Sequence, residues 1–226
     1  MKKLFYFLVL MMVCTTMSAQ YREEIECELK VSVNISKPNI FDNDINIKAG
    51  VGPSVGFLIK LPLPKDIFIK TGFGFTQKPF KSKETEFLST YYYDVVVEAK
   101  ERVNPGYISF PIIVGYDIPL NDKVKFDIGF GPCFSAGISG KYKIKERSTT
   151  YINFNQTYVE TETYTFDLYD DLEYNRFDFG FHVTGGLTVN KIHISYTFEP
   201  SITRMNQFSI IRANHMNHNF SVGVIF

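Results

Sequence analysis

Apolar and polar residues alternate along most of the chain, and the clearest stretch runs from Phe177 to Glu199. Up to Val189 the odd-numbered positions are mostly Phe, Val or Leu, whereas the even-numbered ones are Asp, Gly, His or Thr. The alternation resumes in the opposite phase after Asn190 and Lys191. A period of two places the apolar residues on one face of a β-strand. Two such runs joined by two turn-forming residues predict a tight hairpin.

The same alternation occurs eight times, so the sequence predicts eight strands. Beyond the hairpin, the apolar positions run from Leu29 to Ile35, Val51 to Leu61, Ile67 to Phe75, Ile108 to Ile118, Val124 to Phe134 and Phe220 to Phe226. Several of these runs are about as long as a membrane-crossing strand, roughly 9–11 residues. After the N-terminus no run of about 18 apolar residues occurs, which argues against transmembrane helices.

The predicted connections alternate between short turns and longer loops, and the longest loops are residues 78–105 and 139–176. Short turns at one end and long loops at the other are typical of an outer-membrane barrel. Backbone groups in a bilayer must all be paired, so such a sheet has to close on itself. The apolar face is nearly free of charge and is predicted to meet lipid. The sequence therefore predicts an all-β fold, an eight-stranded antiparallel up-and-down transmembrane β-barrel.

The N-terminus has the pattern of a secretory signal peptide. Lys2 and Lys3 precede an apolar segment from Leu4 to Val13, and Ala19 follows at a suitable cleavage position. We therefore expect a signal peptide at residues 1–19 and the barrel domain at residues 20–226. The predicted location is the outer membrane, with both ends of the mature chain on the periplasmic side.

Composition and charge exclude one class of partner and fit the strand prediction. The 226 residues include 24 basic and 24 acidic ones, so there is no net attraction toward nucleic acid. The chain contains 22 Phe and 14 Tyr residues but no Trp. Aromatic residues are favoured in strands and in the girdles of membrane barrels.

Short motifs spread over the chain resemble the PorT-like outer-membrane β-barrel family. They are the segment 107–116 (YISFPIIVGY), the segment 129–132 (GFGP), the segment 176–180 (RFDFG) and the terminal Phe226. The resemblance spans the mature chain. It implies a porin-family β-barrel in the outer membrane, a group in which most members have no assigned activity and the founding member is implicated in protein secretion.

The predicted turns bring charged residues of the inward face into pairs. With Asn190 and Lys191 as the turn, His182 lies opposite Glu199. If Ile118 faces Val124, Asp117 lies opposite Lys125. Such pairs neutralise one another inside a barrel, as buried charges require. A His–carboxylate pair can also serve acid–base catalysis, but we interpret all four residues as structural and predict no catalytic residue, cofactor or metal site.

Aromatic residues in the two long loops are the candidates for an interaction surface. They are Tyr91, Tyr92, Tyr93, Tyr151, Tyr158 and Tyr164. The loop 139–176 is basic in its first part and acidic in its second, and its alternating Tyr and Thr residues suggest that the strands continue as a hairpin above the membrane. The loop is either a solvated, salt-bridged face or a binding surface, since Tyr is enriched at interfaces.

Three functions remain open at this point. We favour a non-enzymatic outer-membrane barrel that presents extracellular loops and acts in surface interaction, envelope structure or support of secretion. Its expected partners are membrane lipid and a protein or glycan at the loops, and it is expected to be a monomer. The alternatives are a soluble periplasmic lipocalin-like barrel, with its apolar face turned inward around a small ligand, and a lipid-modifying barrel enzyme.

Overall fold

The computed structural model describes residues 25–40, 47–90, 93–152, 155–172, 174–205 and 213–226. The predicted signal peptide and two of the candidate loop residues, Tyr91 and Tyr92, lie outside them. The strands are β1 (Glu26–Ile40), β2 (Ile47–Pro62), β3 (Ile67–Gln77), β4 (Phe80–Ser89), β5 (Asp94–Asn121), β6 (Val124–Ile152), β7 (Asn155–Asp167), β8 (Phe177–Val189), β9 (Ile192–Pro200) and β10 (Ala213–Ile225). Within the described ranges, no helix has the length and apolar character to cross a membrane.

Eight of the strands form a closed antiparallel ring in the order β1, β2, β3, β5, β6, β8, β9, β10. β10 pairs with β1, with Val31 opposite Val222, and this pairing closes the ring. The ring strands contain the eight segments predicted from the alternation, so the eight-stranded barrel is confirmed. We call the end of the ring that carries the turn at Asn190 and Lys191 the lower end. Cys27 and Phe226 exchange backbone hydrogen bonds of 2.9 and 3.0 Å there.

The apolar positions of the ring point outward. Val31 is 62% exposed, and Phe73 and Phe130 are 61% and 55% exposed. On β5 the outward set runs from Ile108 to Ile118, which matches an apolar band about 25 Å tall for tilted strands. A lipocalin-like barrel would have this polarity reversed, so that alternative was wrong.

β4, β7 and the upper halves of β5 and β6 form a second structure, which we call the arm (residues 80–103 and 141–167). Its sheet order is β4–β5–β6–β7, and all pairs are antiparallel. Lys83, Lys100 and Lys145 form one row across three of its strands. The upper ten residues of β5 alone rise about 30 Å at 3.3 Å per residue. Residues 139–176 thus contain the expected hairpin, whereas residues 78–105 contain strands where only a loop was expected.

An apolar cluster covers the upper opening of the ring at the base of the arm. Its buried members are Phe80, Val103, Tyr107, Leu168, Tyr169, Tyr174 and Met205. β2 contributes to the closure by changing partners along its length. Its segment 54–62 pairs with β3, and its segment 47–49 pairs with β4. The lumen below is therefore closed above by packed side chains.

Candidate functional site

Charged side chains at the lower end of the lumen pair differently from the sequence prediction. Lys60 donates to Asp117, with its Nζ 2.7 Å from Oδ1. Lys125 bonds Glu26, and Lys60 lies 3.7 Å from the other oxygen of Glu26. The predicted pair of Asp117 with Lys125 was therefore wrong. Both residues do face the lumen, but each has another partner.

The local register of β5 and β6 explains this error. The turn consists of Asp122 and Lys123, and a bulge between Pro119 and Asn121 inserts one extra residue. Lys125 consequently lies opposite Pro119, while Asp127 lies opposite Asp117. The prediction had placed Ile118 opposite Val124, whereas Ile118 lies opposite Phe126. A register difference of two residues changes the partners but leaves each side chain on its predicted face.

His193 is the centre of a second ion cluster in the middle of the lumen. Its Nδ1 lies 2.7 Å from Glu28 and its Nε2 lies 2.8 Å from Asp127. Lys70 adds a cation 3.4 Å from Glu28 and 4.0 Å from Asp127. The imidazole fits because Gly186 lies beneath it, where an added Cβ would stand only 2.1 Å from Nε2.

The third cluster contains the predicted pair of His182 and Glu199, which the structure brings together at 3.1 Å. The pairing of Val189 with Ile192 beside the two-residue turn places them there, as expected. Lys78 enters the same cluster with its Nζ 2.6 Å from Glu199 and 2.7 Å from Asp178. Lys78 and His182 thus meet two carboxylates, Asp178 and Glu199, inside the barrel.

Cys133 completes a group of metal-ligating type with His182 and Glu199, whose candidate ligand atoms lie within 4.8 Å of one another. Glu199, however, already binds Lys78 through one oxygen and faces His182 with the other. A metal ion would have to displace these interactions. The arrangement is that of an ion-pair network that fills the lumen.

Sequence reasoning missed Lys78, Glu26 and Glu28 as members of this network. Lys78 is completely buried, although it had been assigned to the start of a loop. Glu26 and Glu28 had been placed before the first strand, but β1 begins at Glu26. Their spacing carried a usable signal, because Glu26, Glu28 and Lys30 continue the inward-facing alternate positions of that strand.

Tyr174 and His215 join the apolar cluster to the lumen. The Tyr174 hydroxyl lies 3.0 Å from Nε2 of His215, and both side chains are buried. Burial raises the pKa of Tyr174 well above its usual range, so the phenol stays neutral. The rings of Phe80 and Tyr107 pack edge-on against His215. These contacts hold the segment above β8 onto the top of the ring.

One face of the arm is acidic, and it continues the lumen side of β5. Its carboxylates are Glu84, Glu86, Glu101, Glu146, Glu160 and Glu162, which the strand registers place on the same side. Four of them, Glu84, Glu86, Glu101 and Glu146, line a groove of about 320 Å³ together with Val97, Ala99 and Ile144. Burial and the carboxylate of Glu101 raise the pKa of the nearby Tyr142.

The opposite face of the arm is basic, and it continues the lipid-facing side of β5. Its exposed cations are Lys81, Lys83, Lys100, Arg102, Lys141, Lys143, Lys145 and Arg147. Acidic side chains on the described part of this face are Asp94, Glu98 and Asp167. The sequence showed the basic and acidic segments, but it did not show that they lie back to back.

The candidate aromatic residues do not form a single surface. Tyr158 and Tyr164 lie on the acidic face, at 59% and 41% exposure. Tyr151 lies on the basic face, in register with Asp94. Tyr93 is exposed beside β5, where its carbonyl accepts hydrogen bonds from Thr90.

Comparison with known proteins gives a family match and a set of distant structural relatives. The family model described as "Outer membrane protein beta-barrel domain" matches residues 18–207. The attachment invasion locus protein Ail of Yersinia pestis is 11% identical, over 90% of this chain and 100% of its own, with a TM-score of 0.36. Neisserial surface protein A is 12% identical, over 90% of this chain and 98% of its own, with a TM-score of 0.35. The N-terminal barrel of Pseudomonas aeruginosa OprF is 9% identical, over 87% of this chain and 97% of its own, with a TM-score of 0.31. No curated protein matches the chain in sequence.

Proposed function

The chain belongs to the outer membrane protein beta-barrel domain family, and on that premise we propose that its barrel is a non-enzymatic anchor which presents the arm outside the cell as a binding surface. The barrel lies in the outer membrane. The observation that carries the proposal is the continuity of β5 and β6. Each strand runs without interruption from the lower turn through the barrel wall into the arm.

The distribution of charge supports a binding role for the arm. Inside the ring most of the charged side chains make buried contacts with one another, such as Lys78 with Glu199 and His193 with Asp127. On the arm, cations and carboxylates are instead sorted onto opposite exposed faces. Segregation of this kind produces a strong local potential that attracts charged partners.

The interior supports a structural role for the lumen. Near Lys30, Ser54 and Thr197 it leaves a cavity of about 30 Å³, which is room for a water or two. Reactive groups there, including His182, are enclosed by the wall and by the apolar cluster above. A lipid-modifying enzyme would need such groups to reach substrate in the bilayer.

The proposal is tested with a trimmed protein in which residues 81–102 and 143–165 are each replaced by an Asn-Gly turn. The new ends, Phe80 with Val103 and Tyr142 with Phe166, are already paired across their strands. The strand pairs within the ring are kept, so the heat-dependent gel shift of a folded barrel should persist. Full-length and trimmed proteins in neutral detergent are then compared for binding to dextran sulfate, polylysine and neutral dextran.

We expect saturable binding of at least one charged polymer by the full-length protein and its loss in the trimmed one. Equal binding by both would contradict a binding role for the arm. The resemblance to PorT-like barrels makes support of secretion the competing role. Cells that carry only the trimmed protein distinguish the two roles. If these cells secrete less protein while the trimmed protein binds the polymers as the full-length protein does, the result would favour the role in secretion.

A further inference from the structure

Six cations on the basic face form a compact grid of two rows and three strands. One row is Lys81, Arg102 and Lys143, and the next is Lys83, Lys100 and Lys145. Neighbouring members of a row lie directly opposite each other in the strand register. Adjacent strands are about 4.8 Å apart, and the rows are separated by two residues of rise, about 7 Å.

This arrangement is unfavourable for the isolated sheet. Like charges directly opposite on neighbouring strands destabilise a sheet. Within the described part of the arm, the ion pair seen at the grid is that of Lys83 with Glu98, at 3.3 Å. The repulsion is relieved when anions approach the face, so the grid is better suited to a bound polyanion than to free solution.

The height of the grid argues against lipid headgroups as its occupant. On β5, Arg102 stands six residues beyond Ile108, the outward apolar residue nearest the arm. That separation is about 20 Å along the strand. Even for a strand tilted by about 45°, the grid lies well beyond a headgroup layer that is roughly 5–8 Å thick. A ligand must therefore reach it from the surrounding medium.

The side-chain chemistry favours a chain of repeated charges over a single anion. Five of the six cations are Lys, and Lys acts as a flexible, hydrated point charge without the fixed fork of Arg. The spacing between neighbouring cations is about the length of one sugar ring. A polysaccharide with a charge on successive sugars could thus place one anionic group at each strand.

From these observations we infer that the six-cation grid is a binding site for an acidic polysaccharide that lies across β4, β5 and β6. This inference rests on the proposed function, because it assigns a partner class to one face of the arm. The opposite, acidic face takes no part in it.

The test reverses the two central cations, Lys100→Glu and Arg102→Glu, in the full-length protein. Across β4, β5 and β6 each row then alternates in sign, so the cross-strand repulsion within the grid becomes attraction. The control variant, Lys65→Glu with Lys191→Glu, makes the same change in net charge at exposed turns of the lower end. Affinity for dextran sulfate is measured in neutral detergent at several salt concentrations, and unfolding in urea is followed by the gel shift.

We expect the grid variant to lose roughly tenfold or more in affinity, since several exposed ionic contacts are lost together. The steepness of log affinity against log salt concentration should also fall by about one for each cation removed, as for other polyanions. The urea midpoint should rise or stay unchanged, which separates lost binding from lost folding. The control variant should bind within about twofold of the original protein.

The inference would be overturned by equal losses in both variants, by tighter binding of duplex DNA than of dextran sulfate, or by displacement of dextran sulfate by phosphatidylglycerol added to the micelles. The last would assign the grid to headgroups. Arm-dependent binding of polylysine alone would also overturn it, while the proposed function of the arm would stand.

Discussion

Lys78 and Glu199 are separated by 121 positions in the chain, yet they form a buried ion pair in which Nζ lies 2.6 Å from Oε1. Lys78 sits between β3 and β4, at the point where the chain leaves the ring for the arm, and Glu199 is near the upper end of β9. The contact therefore crosses the lumen. Asp178 accepts a second bond from the same ammonium group, at 2.7 Å.

Replacing Lys78 by Ala should destabilise the barrel strongly. The substitution leaves two buried carboxylates without their cation, a situation that costs about 3–5 kcal/mol. Urea unfolding in detergent, read by the gel shift, measures the loss. Lys83→Ala is the matched control, because its ion pair with Glu98 is solvent-exposed and contributes about 1 kcal/mol or less. Similar midpoints for the two variants would contradict the buried network.

Gly186→Ala should also destabilise the barrel, whereas Gly185→Ala should not. A Cβ at position 186 would stand 2.1 Å from Nε2 of His193, so the imidazole would have to leave Asp127. Overpacking of this kind costs about 1–3 kcal/mol. A Cβ at Gly185 meets its nearest neighbours at 3.8 Å, an ordinary contact. Unfolding midpoints in the reverse order would show that His193 is not fixed as described.

Thiol labelling of intact cells tests the orientation of the barrel. Thr161→Cys places a thiol on the arm, and Lys191→Cys places one in the turn at the lower end. A membrane-impermeant maleimide should label the first and spare the second. Labelling after cell lysis should reach both positions. Labelling of position 191 alone in intact cells would invert the proposed topology.

Planar-bilayer recordings of the purified protein should show no steady conductance of porin size. Eight strands enclose an interior that side chains can fill, whereas open porins use 16–18 strands. Here the ion clusters around His193 and Lys78 fill the lumen, and the cluster around Tyr107 covers its upper opening. A stable ion-selective current that changes with Lys70→Ala would refute a structural lumen.

The parts of the fold that follow from sequence are those in which one face meets lipid. There the contrast between faces is large, and the alternation around Val31 or Phe130 identifies each strand and its outward side. The pair of His182 and Glu199 also follows, because a two-residue turn fixes the register. The partner of Asp117 does not follow, because the extra residue near Leu120 changes the register without changing the alternation.

The arm was harder to predict because both of its faces are in water. Its strands alternate charged with small or aromatic residues, so the hydrophobic contrast that reveals the ring is weak. A second bulge also matters, since Gly137 pairs with Tyr107 but Ser139 pairs with Gly106. The extra residue, Ile138, shifts the phase of β6 and places Lys141 and Lys143 on the outer face. Without that residue they would have faced the acidic side.

Because β5 and β6 run without interruption from the ring into the arm, the arm and the barrel wall behave mechanically as one unit. The two strands are paired along their length, with two bulges as the irregularities in their ladder, so the arm has no hinge about which to swing. A force along the arm pulls β5 and β6 in the same direction, so it loads in shear the hydrogen bonds that join β5 to β3 and β6 to β8 in the ring. Many of these bonds are loaded at once, because they lie perpendicular to the strands. A ligand held by the arm would therefore pull on the barrel wall itself, and the bilayer that holds the barrel would bear the load.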